Sequence, residues 1–160
     1  MPENASKVKI EAVKSYGLKI VFCEPSISAR EMKVQDLIDE YKYTFIHPFD
    51  DYSVIAGQGS IACELESQLQ EPLDKLLIPV GGGGLISGIS FFAKKNGGIA
   101  STIIGAEPET ARDATDSFYS KTHVTDYKPM TIADGLRATL GVKNFEIILQ
   151  YVDEFITATE

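Results

Sequence analysis

Four consecutive glycines at positions 81–84 form the segment of the sequence with the clearest chemical meaning. They follow the apolar run 76–80, which is typical of a buried strand, and precede residues 85–95, which favour a helix. Because glycine has no Cβ atom, the backbone at such a junction can wrap closely around an anion. Its N–H groups then point inward at the positive end of the helix. We therefore expect this loop to bind a phosphate ester.

Two familiar phosphate-binding motifs do not fit this glycine run. The dinucleotide pattern G-x-G-x-x-G would need its last glycine at Ile86 or Ser87, and the P-loop would need Gly-Lys-Ser/Thr after the glycines. The remaining alternative to phosphate binding is a turn that lets the helix pack closely against the sheet.

The elements that must position this loop alternate between helices and strands. Helices are predicted over residues 3–16, from 28 to about 41, and over 54–69, 85–95, 109–119 and about 144–151. The second of these begins at the capping-box pattern Ser28-Ala29-Arg30-Glu31, and Asn96, Gly97 and Gly98 end the fourth. Strands are predicted over 18–22, 43–46, 76–80, 102–106 and 155–157, with loops at 47–51 and 120–132. This alternation predicts an α/β fold with a mostly parallel sheet covered on both faces.

Composition excludes several classes of protein. The chain has 160 residues, 44% of them apolar, which is too many for a disordered protein and enough for one domain or two small lobes. The net charge of −8, with no basic run, argues against nucleic-acid binding. Residues 76–93 carry no charge, but Pro79 and the glycines would break a membrane-spanning helix. Two cysteines, Cys23 and Cys63, without metal-type spacing favour a reduced, cytoplasmic location.

The segment PVGGGGLISG, residues 79–88, resembles the phosphate loop of fold-type II pyridoxal-phosphate enzymes. The motifs VFCEP, HPFDDYSVIAGQGSIACELE, IIGAEPE, TIADGLRATLG and VDEFITATE match in the same order and narrow the resemblance to the threonine/serine dehydratase and serine racemase group. The resemblance implies a tryptophan synthase β-like fold. It also implies that residues 1–46 belong to a small mobile lobe and residues 47–160 to the large cofactor-binding lobe.

The activity implied by this resemblance is that of a pyridoxal-phosphate-dependent ammonia-lyase. Such an enzyme removes water from L-threonine or L-serine to give a 2-oxo acid and ammonia, and relatives also racemise serine. The resemblance further implies a small amino-acid substrate and a homodimer at full length. The family's Schiff-base lysine motif is absent from these 160 residues. No catalytic residue is therefore assigned, and the chain is expected to be a central fragment.

Two other functions stay open. One is a catalytically inactive phosphate-binding fragment or pseudoenzyme, and the other is a nucleotide-binding α/β domain.

The site residues follow from the same resemblance. The backbone N–H groups expected to hold the cofactor phosphate are those of Gly81, Gly82, Gly83, Gly84 and Leu85. Phe49 is expected beside the cofactor ring, where dehydratases carry Phe and racemases often carry Asn, so it favours dehydration. Arg30 and Gly135 are expected to border the substrate. Alternatively, Arg30 is a solvated residue on a capped helix and Gly135 belongs to an ordinary turn.

A divalent metal site is also implied by the resemblance. Its ligands would be the carboxylates of Glu107 and Asp113 and the backbone carbonyl of Ala111, which together suit Mg²⁺ or Ca²⁺. The alternative is that the two carboxylates are solvated or stabilise the start of a helix.

Overall fold

The chain divides into two compact units, Met1–Ile46 and His47–Glu160, in a computed structural model that describes residues 1–95 and 98–160. The two units have the same bounds as the small and large lobes that the family resemblance implies. The assignment of the units to those lobes stays a prediction. The helix end predicted at Asn96 and Gly97 lies outside the described residues. In the part of the chain that is described, no helix is both long and apolar enough to cross a membrane.

The first unit contains two helices, α1 (Lys7–Ser15) and α2 (Ile27–Tyr41). The hydroxyl of Ser26 accepts a hydrogen bond from the Ala29 backbone N–H at 3.1 Å and caps α2. The helix therefore begins before Ser28, and the capping box predicted at Ser28 is wrong. Ser26 follows Pro25, and its extended backbone lets the side chain turn back over the first helical turn.

The two strands predicted in the first unit, at 18–22 and 43–46, are not formed. The described residues there pair only through an isolated parallel bridge between Pro2 and Cys23. Apolar side chains in these segments, among them Phe22, Tyr43 and Phe45, are exposed. A strand needs a neighbour for its backbone hydrogen bonds, so an apolar run without one remains irregular.

The second unit is built on a three-stranded parallel sheet in the order β1-β2-β3. Its elements along the chain are α3 (Tyr52–Gln58), α4 (Ser60–Gln68), β1 (Leu73–Pro79), α5 (Gly84–Lys95), β2 (Ala100–Pro108), α6 (Asp113–Ser120), a 3₁₀ turn (Asp134–Leu136), α7 (Val142–Tyr151) and β3 (Glu154–Ala158). Pro79 pairs with Ala106, and Glu107 pairs with Thr157. The α/β class with parallel strands is confirmed.

The core of the second unit lies between the sheet and its helices. In β2 the successive residues Ile103 and Ile104 are both buried, so both faces of this central strand are covered. The single helix predicted over 54–69 is wrong, because α3 and α4 meet at Gly59, where a Cβ atom would lie 3.1 Å from the Gly88 carbonyl oxygen of α5. This close packing against α5 divides the segment into two helices.

The carboxyl ends of the parallel strands place the chemistry at one edge of the sheet. β1 ends at Pro79 and leads into the glycines, while the neighbouring β2 carries Glu107 next to its last residue. Loops at this edge of an open parallel sheet are the usual place for ligands. The helix predicted over 109–119 begins only at Asp113, which leaves residues 109–112 as a connecting segment at the same edge.

Candidate functional site

The glycine run forms the connection between β1 and the start of α5. Gly83 has φ +89°, a left-handed conformation that favours glycine, and α5 begins at the next residue. The carbonyl of Gly83 already accepts a hydrogen bond from the Ser87 N–H at 3.0 Å. The N–H groups of the first helical turn have no acceptor within the helix, so this end presents donors and positive potential to an anion. The residues present fit a phosphate group.

Phe49 packs directly on this loop. A Cβ atom at Gly82 would lie 2.6 Å from Cδ1 of the Phe49 ring, and one at Gly84 would lie 3.2 Å from the Phe49 carbonyl oxygen. The imidazole of His47 holds the segment in place, since its Nδ1 accepts the Asp50 N–H at 2.8 Å and its ring meets the Phe49 ring edge-on at 4.7 Å. The predicted cofactor neighbour Phe49 and the glycine loop are therefore brought together.

Gly135 also lies beside the glycine run. A Cβ atom at Gly81 would lie 3.2 Å from the Gly135 carbonyl oxygen. Gly135 itself is exposed and sits in the 3₁₀ turn Asp134–Leu136. The structure thus brings this predicted substrate residue to the first glycine of the loop, and its role toward a substrate stays a prediction.

The start of α7 joins the Phe49 segment to the glycine loop through residues that the sequence did not single out. The Asp50 carboxylate accepts N–H hydrogen bonds from Val142 at 3.2 Å and Lys143 at 2.9 Å, and so caps α7. The buried Asn144 amide donates to the carbonyl oxygens of Phe49 and Gly82, both at 3.0 Å. No local sequence pattern connects Asp50 with residues 92 to 94 positions away.

Glu107 and Asp113, the two predicted metal-ligating carboxylates, are both buried, each with 2% of its surface exposed. Glu107 accepts hydrogen bonds from the backbone N–H groups of Ala114 at 3.2 Å and Thr115 at 2.7 Å, and from the Thr115 hydroxyl at 2.7 Å. It therefore caps α6 across the connecting segment. Asp113 accepts the Leu140 N–H at 2.7 Å.

Burial dominates the electrostatics of this pair. It raises the pKa of Glu107 to about 7, against the lowering effect of the Thr115 and Ala114 hydrogen bonds, and the negative charge of Asp113 adds to the rise. Burial likewise raises the pKa of Asp113, although the Leu140 hydrogen bond and the nearby His123 oppose the rise. Two buried carboxylates that repel each other would be stabilised by a nearby cation.

The geometry leaves the metal prediction open. Within residues 1–95 and 98–160, no group of three or more His, Cys, Asp or Glu side chains could hold a metal ion. The predicted set has only two carboxylates, and its third ligand is the carbonyl of Ala111 in the segment before α6.

Leu140 connects the carboxylate pair to the glycine loop. Its N–H binds Asp113, its carbonyl oxygen lies 2.8 Å from Nε2 of His123, and its side chain fills the space above Gly83. The next residue, Gly141, donates its N–H to the Gly82 carbonyl at 3.1 Å. Residues 140–141 therefore contact both the predicted phosphate site and the predicted metal site.

Arg30 lies in the first unit, where it is exposed on the first turns of α2. The other predicted site residues all belong to the second unit, so Arg30 is the one predicted site residue in the first unit. Its predicted contact with a substrate stays a prediction.

Comparison with known proteins identifies the family. The sequence pattern of the pyridoxal-phosphate dependent enzymes matches residues 1–160. The chain belongs to this family. A serine racemase from Dictyostelium discoideum is 43% identical to this chain over 164 residues. The match covers 100% of this chain and 49% of the racemase. A catabolic L-threonine dehydratase from Staphylococcus aureus is 35% identical over 161 residues, with 100% of this chain and 46% of the relative covered.

Solved structures agree with the family assignment. The structure of maize serine racemase superposes with a TM-score of 0.93 and 38% identity, over 99% of this chain and 47% of that one. The expected fold-type II architecture is therefore confirmed. The chain spans about half the length of the curated relatives it matches.

Proposed function

We propose that this chain supplies the phosphate-binding part of a pyridoxal-phosphate-dependent ammonia-lyase acting on L-threonine or L-serine. The observation that carries the proposal is the loop at residues 81–85, which packs against the Phe49 ring and leads into the first turn of α5, where N–H groups have no acceptor within the helix. The similarity to proteins named L-threonine dehydratase and serine racemase supports the substrate class. Serine racemisation is the second candidate activity, supported by the relative from Dictyostelium discoideum.

The chain's own residues would hold the cofactor by its phosphate. The N–H groups of Gly81, Gly82, Gly83, Gly84 and Leu85 would donate to the phosphate oxygens, and the positive end of α5 would stabilise their charge. Phe49, which covers Gly82, would lie beside the cofactor ring and keep water from one side of it. Bound pyridoxal phosphate supplies an electron sink for the negative charge that develops at the substrate α-carbon.

Arg30 and Gly135 are the residues proposed to border the substrate. The carbonyl of Gly135 already lies against Gly81, which supports its place near the cofactor. Arg30 would offer a positive charge to an amino-acid carboxylate. The family resemblance implies Phe in dehydratases and often Asn in racemases at this position, so Phe49 favours dehydration over racemisation.

We also propose that Glu107, Ala111 and Asp113 hold Mg²⁺ or Ca²⁺. The burial of two carboxylates with raised pKa values supports a cation there, since a divalent ion offsets their repulsion. The ion would act on the site through the segment that joins Asp113 to Gly83 by way of Leu140.

A cytoplasmic location and a homodimer at full length complete the proposal. The two cysteines, Cys23 and Cys63, are free thiols, which suits a reducing compartment. Large apolar side chains remain exposed in both units, for example Phe45 and Leu77, and suit burial against further protein surface. Light scattering on the protein isolated from its natural source tests the dimer.

The activity is tested by measuring 2-oxo acid and ammonia from L-threonine and L-serine. The protein is purified from its natural source and supplied with pyridoxal 5′-phosphate, and a chiral assay follows D-serine in parallel. We expect equal amounts of 2-oxo acid and ammonia. If the protein binds the cofactor but releases neither product and forms no D-serine, the catalytically inactive alternative replaces this proposal.

A further inference from the structure

The Gly82 carbonyl oxygen is held from one side by two donors at the start of α7. It accepts the Gly141 N–H at 3.1 Å and the Asn144 side-chain amide at 3.0 Å. The described residues contain no cis peptide bond, and the carbonyl and the following N–H point in opposite directions in a planar trans peptide. The N–H of Gly83 is therefore turned away from α7.

The orientation of the Asn144 side-chain amide is set by the hydrogen bonds that its NH₂ group donates, since its Oδ1 accepts none among the described residues. Its Nδ2 has two hydrogens, and two carbonyl oxygens, of Phe49 and Gly82, lie 3.0 Å from it. The reverse orientation would place Oδ1 against both carbonyl oxygens, which is repulsive. The side chain thus has one favourable orientation, in which it ties the Phe49 segment to the glycine loop.

The arrangement leaves one polar atom of Asn144 without a hydrogen bond in the described part of the chain. Asn144 is fully buried, and its Oδ1 has no hydrogen-bond partner among the described residues. Burying a carbonyl oxygen without a partner destabilises a fold, and an apolar side chain would remove that cost together with the hydrogen bonds to Phe49 and Gly82. What Asn144 adds in return is control over the direction of the Gly82–Gly83 peptide.

We propose that Asn144 is a positioning residue that fixes the Gly82–Gly83 peptide so that the Gly83 N–H faces the phosphate. Through its second hydrogen bond it also sets the Phe49 backbone, so the loop and the ring are positioned by one side chain. The inference rests on the proposed phosphate site and extends it to a residue that touches no ligand itself. Preorganised donors bind an anion more tightly than donors that must first rotate into place.

The test is titration of the protein, at the length at which it occurs naturally and without cofactor, with inorganic phosphate, followed by the Gly83 backbone amide in ¹⁵N–¹H NMR spectra. The main variant is Asn144→Leu, which has a similar shape and no donor. Asn144→Thr retains one hydroxyl donor, and Ser87→Ala is the matched control. The buried Ser87 hydroxyl contacts the Asn144 backbone carbonyl at 3.4 Å, in the same α5–α7 contact, and the Ser87→Ala variant keeps the backbone N–H that binds the Gly83 carbonyl.

In the wild type we expect saturable binding and a shift of the Gly83 amide. Asn144→Leu should weaken binding roughly fivefold to tenfold, as expected for loss of the hydrogen bond that holds the Gly82 carbonyl, and reduce the Gly83 shift at saturation. Asn144→Thr should recover part of the affinity, and Ser87→Ala should match the wild type. A melting curve for each variant checks that the differences arise in folded protein.

Three results would overturn the inference, and they are distinguishable. Wild-type affinity and an unchanged Gly83 shift in folded Asn144→Leu would refute the positioning role alone. Failure of both Asn144 variants to fold would assign the residue to stability instead. Absence of phosphate binding in the wild type would remove the proposed phosphate site, and the inference with it.

Discussion

The ring of Phe49 lies against the backbone of Gly82, so close that a Cβ atom at position 82 would be 2.6 Å from ring atom Cδ1. Real Cβ atoms do not approach other heavy atoms this closely, so the observed position of the Phe49 ring requires a glycine at position 82. The ring is half-buried and is also held edge-on by His47 at 4.7 Å. The segment that carries Phe49 thus limits residue 82 to glycine.

Gly82→Ala should therefore destabilise the second unit. The added methyl group must displace the Phe49 ring, which we expect to lower the free energy of unfolding by about 1–3 kcal/mol. Urea unfolding of the single variant, of Phe49→Ala and of the double variant measures the coupling between the two sites. In the double variant the clash is gone, so the cost of Gly82→Ala should become smaller. A cost that is the same with and without the Phe49 ring would contradict this packing.

Asp50→Ala should remove the cap of α7. We expect a loss of about 1 kcal/mol of unfolding free energy in urea, and weaker phosphate binding because Gly141 and Asn144 at the start of α7 hold Gly82. The matched control is Asp51→Ala, since Asp51 caps α3 through hydrogen bonds to Ser53 and Val54. It should cost similar stability and leave phosphate affinity unchanged. Equal phosphate affinity in both variants would contradict the link between α7 and the loop.

Asp113→Asn should abolish divalent metal binding and keep the fold. The amide oxygen can still accept the Leu140 N–H, while the charge that repels Glu107 is removed. The free energy of unfolding without metal should change by no more than about 1 kcal/mol. Calorimetric titration with Mg²⁺ and Ca²⁺ should give binding in the wild type and in the control Asp116→Asn, whose exposed carboxylate pairs with Arg112. No binding heat in the wild type would refute the metal site.

Asp153 should make the free energy of unfolding fall as the pH is lowered. Burial alone would raise its pKa, but the hydrogen bonds from Lys94 and the Ile103 N–H, with the charge of Lys94, outweigh burial and lower the pKa. Its stabilising contribution is therefore present above the unfolded pKa of Asp and is lost as the pH falls through the lowered folded value. In urea, Asp153→Asn should cost less than about 1 kcal/mol at neutral pH, because solvent screens this partly exposed ion pair, and less still in acid, where the wild-type carboxylate is protonated too.

The control for this experiment is Asp126→Asn, at an exposed loop residue. It should change stability little at either pH. A cost for Asp153→Asn that stays constant from neutral to acid pH would show that the charge of Asp153 does not contribute.

The sequence predicted most of the second unit because its elements have strong local patterns. β1, β2 and β3 each contain a short apolar run, and each is predicted within three residues of its observed ends. The glycine loop was recognisable because four successive glycines are costly unless close backbone approach requires them. Phe49 was assigned to the site only by resemblance, and the structure supplies the physical reason in its contact with Gly82.

What the sequence did not predict depends on partners far along the chain. The apolar segments at 18–22 and 43–46 have the composition of strands, but no neighbouring strand pairs with them among the described residues. Asp50 and Asn144 bind groups that lie 62 to 95 residues away along the chain. An Asp in a loop or an Asn in a helix has no local sequence feature that predicts such contacts. Glu107 caps the start of α6, which the sequence offered as an alternative to a metal ligand, but the sequence could not decide between the two roles.

The most direct test of the central claim is the ratio of dissociation constants for pyridoxal and pyridoxal 5′-phosphate on the 160-residue chain. The two molecules differ by the phosphate that the loop at residues 81–85 is proposed to hold. We expect pyridoxal 5′-phosphate to bind tighter by on the order of tenfold or more, because a charged phosphate gains several backbone hydrogen bonds at the start of α5. Equal affinities would contradict the phosphate site and with it the proposed function.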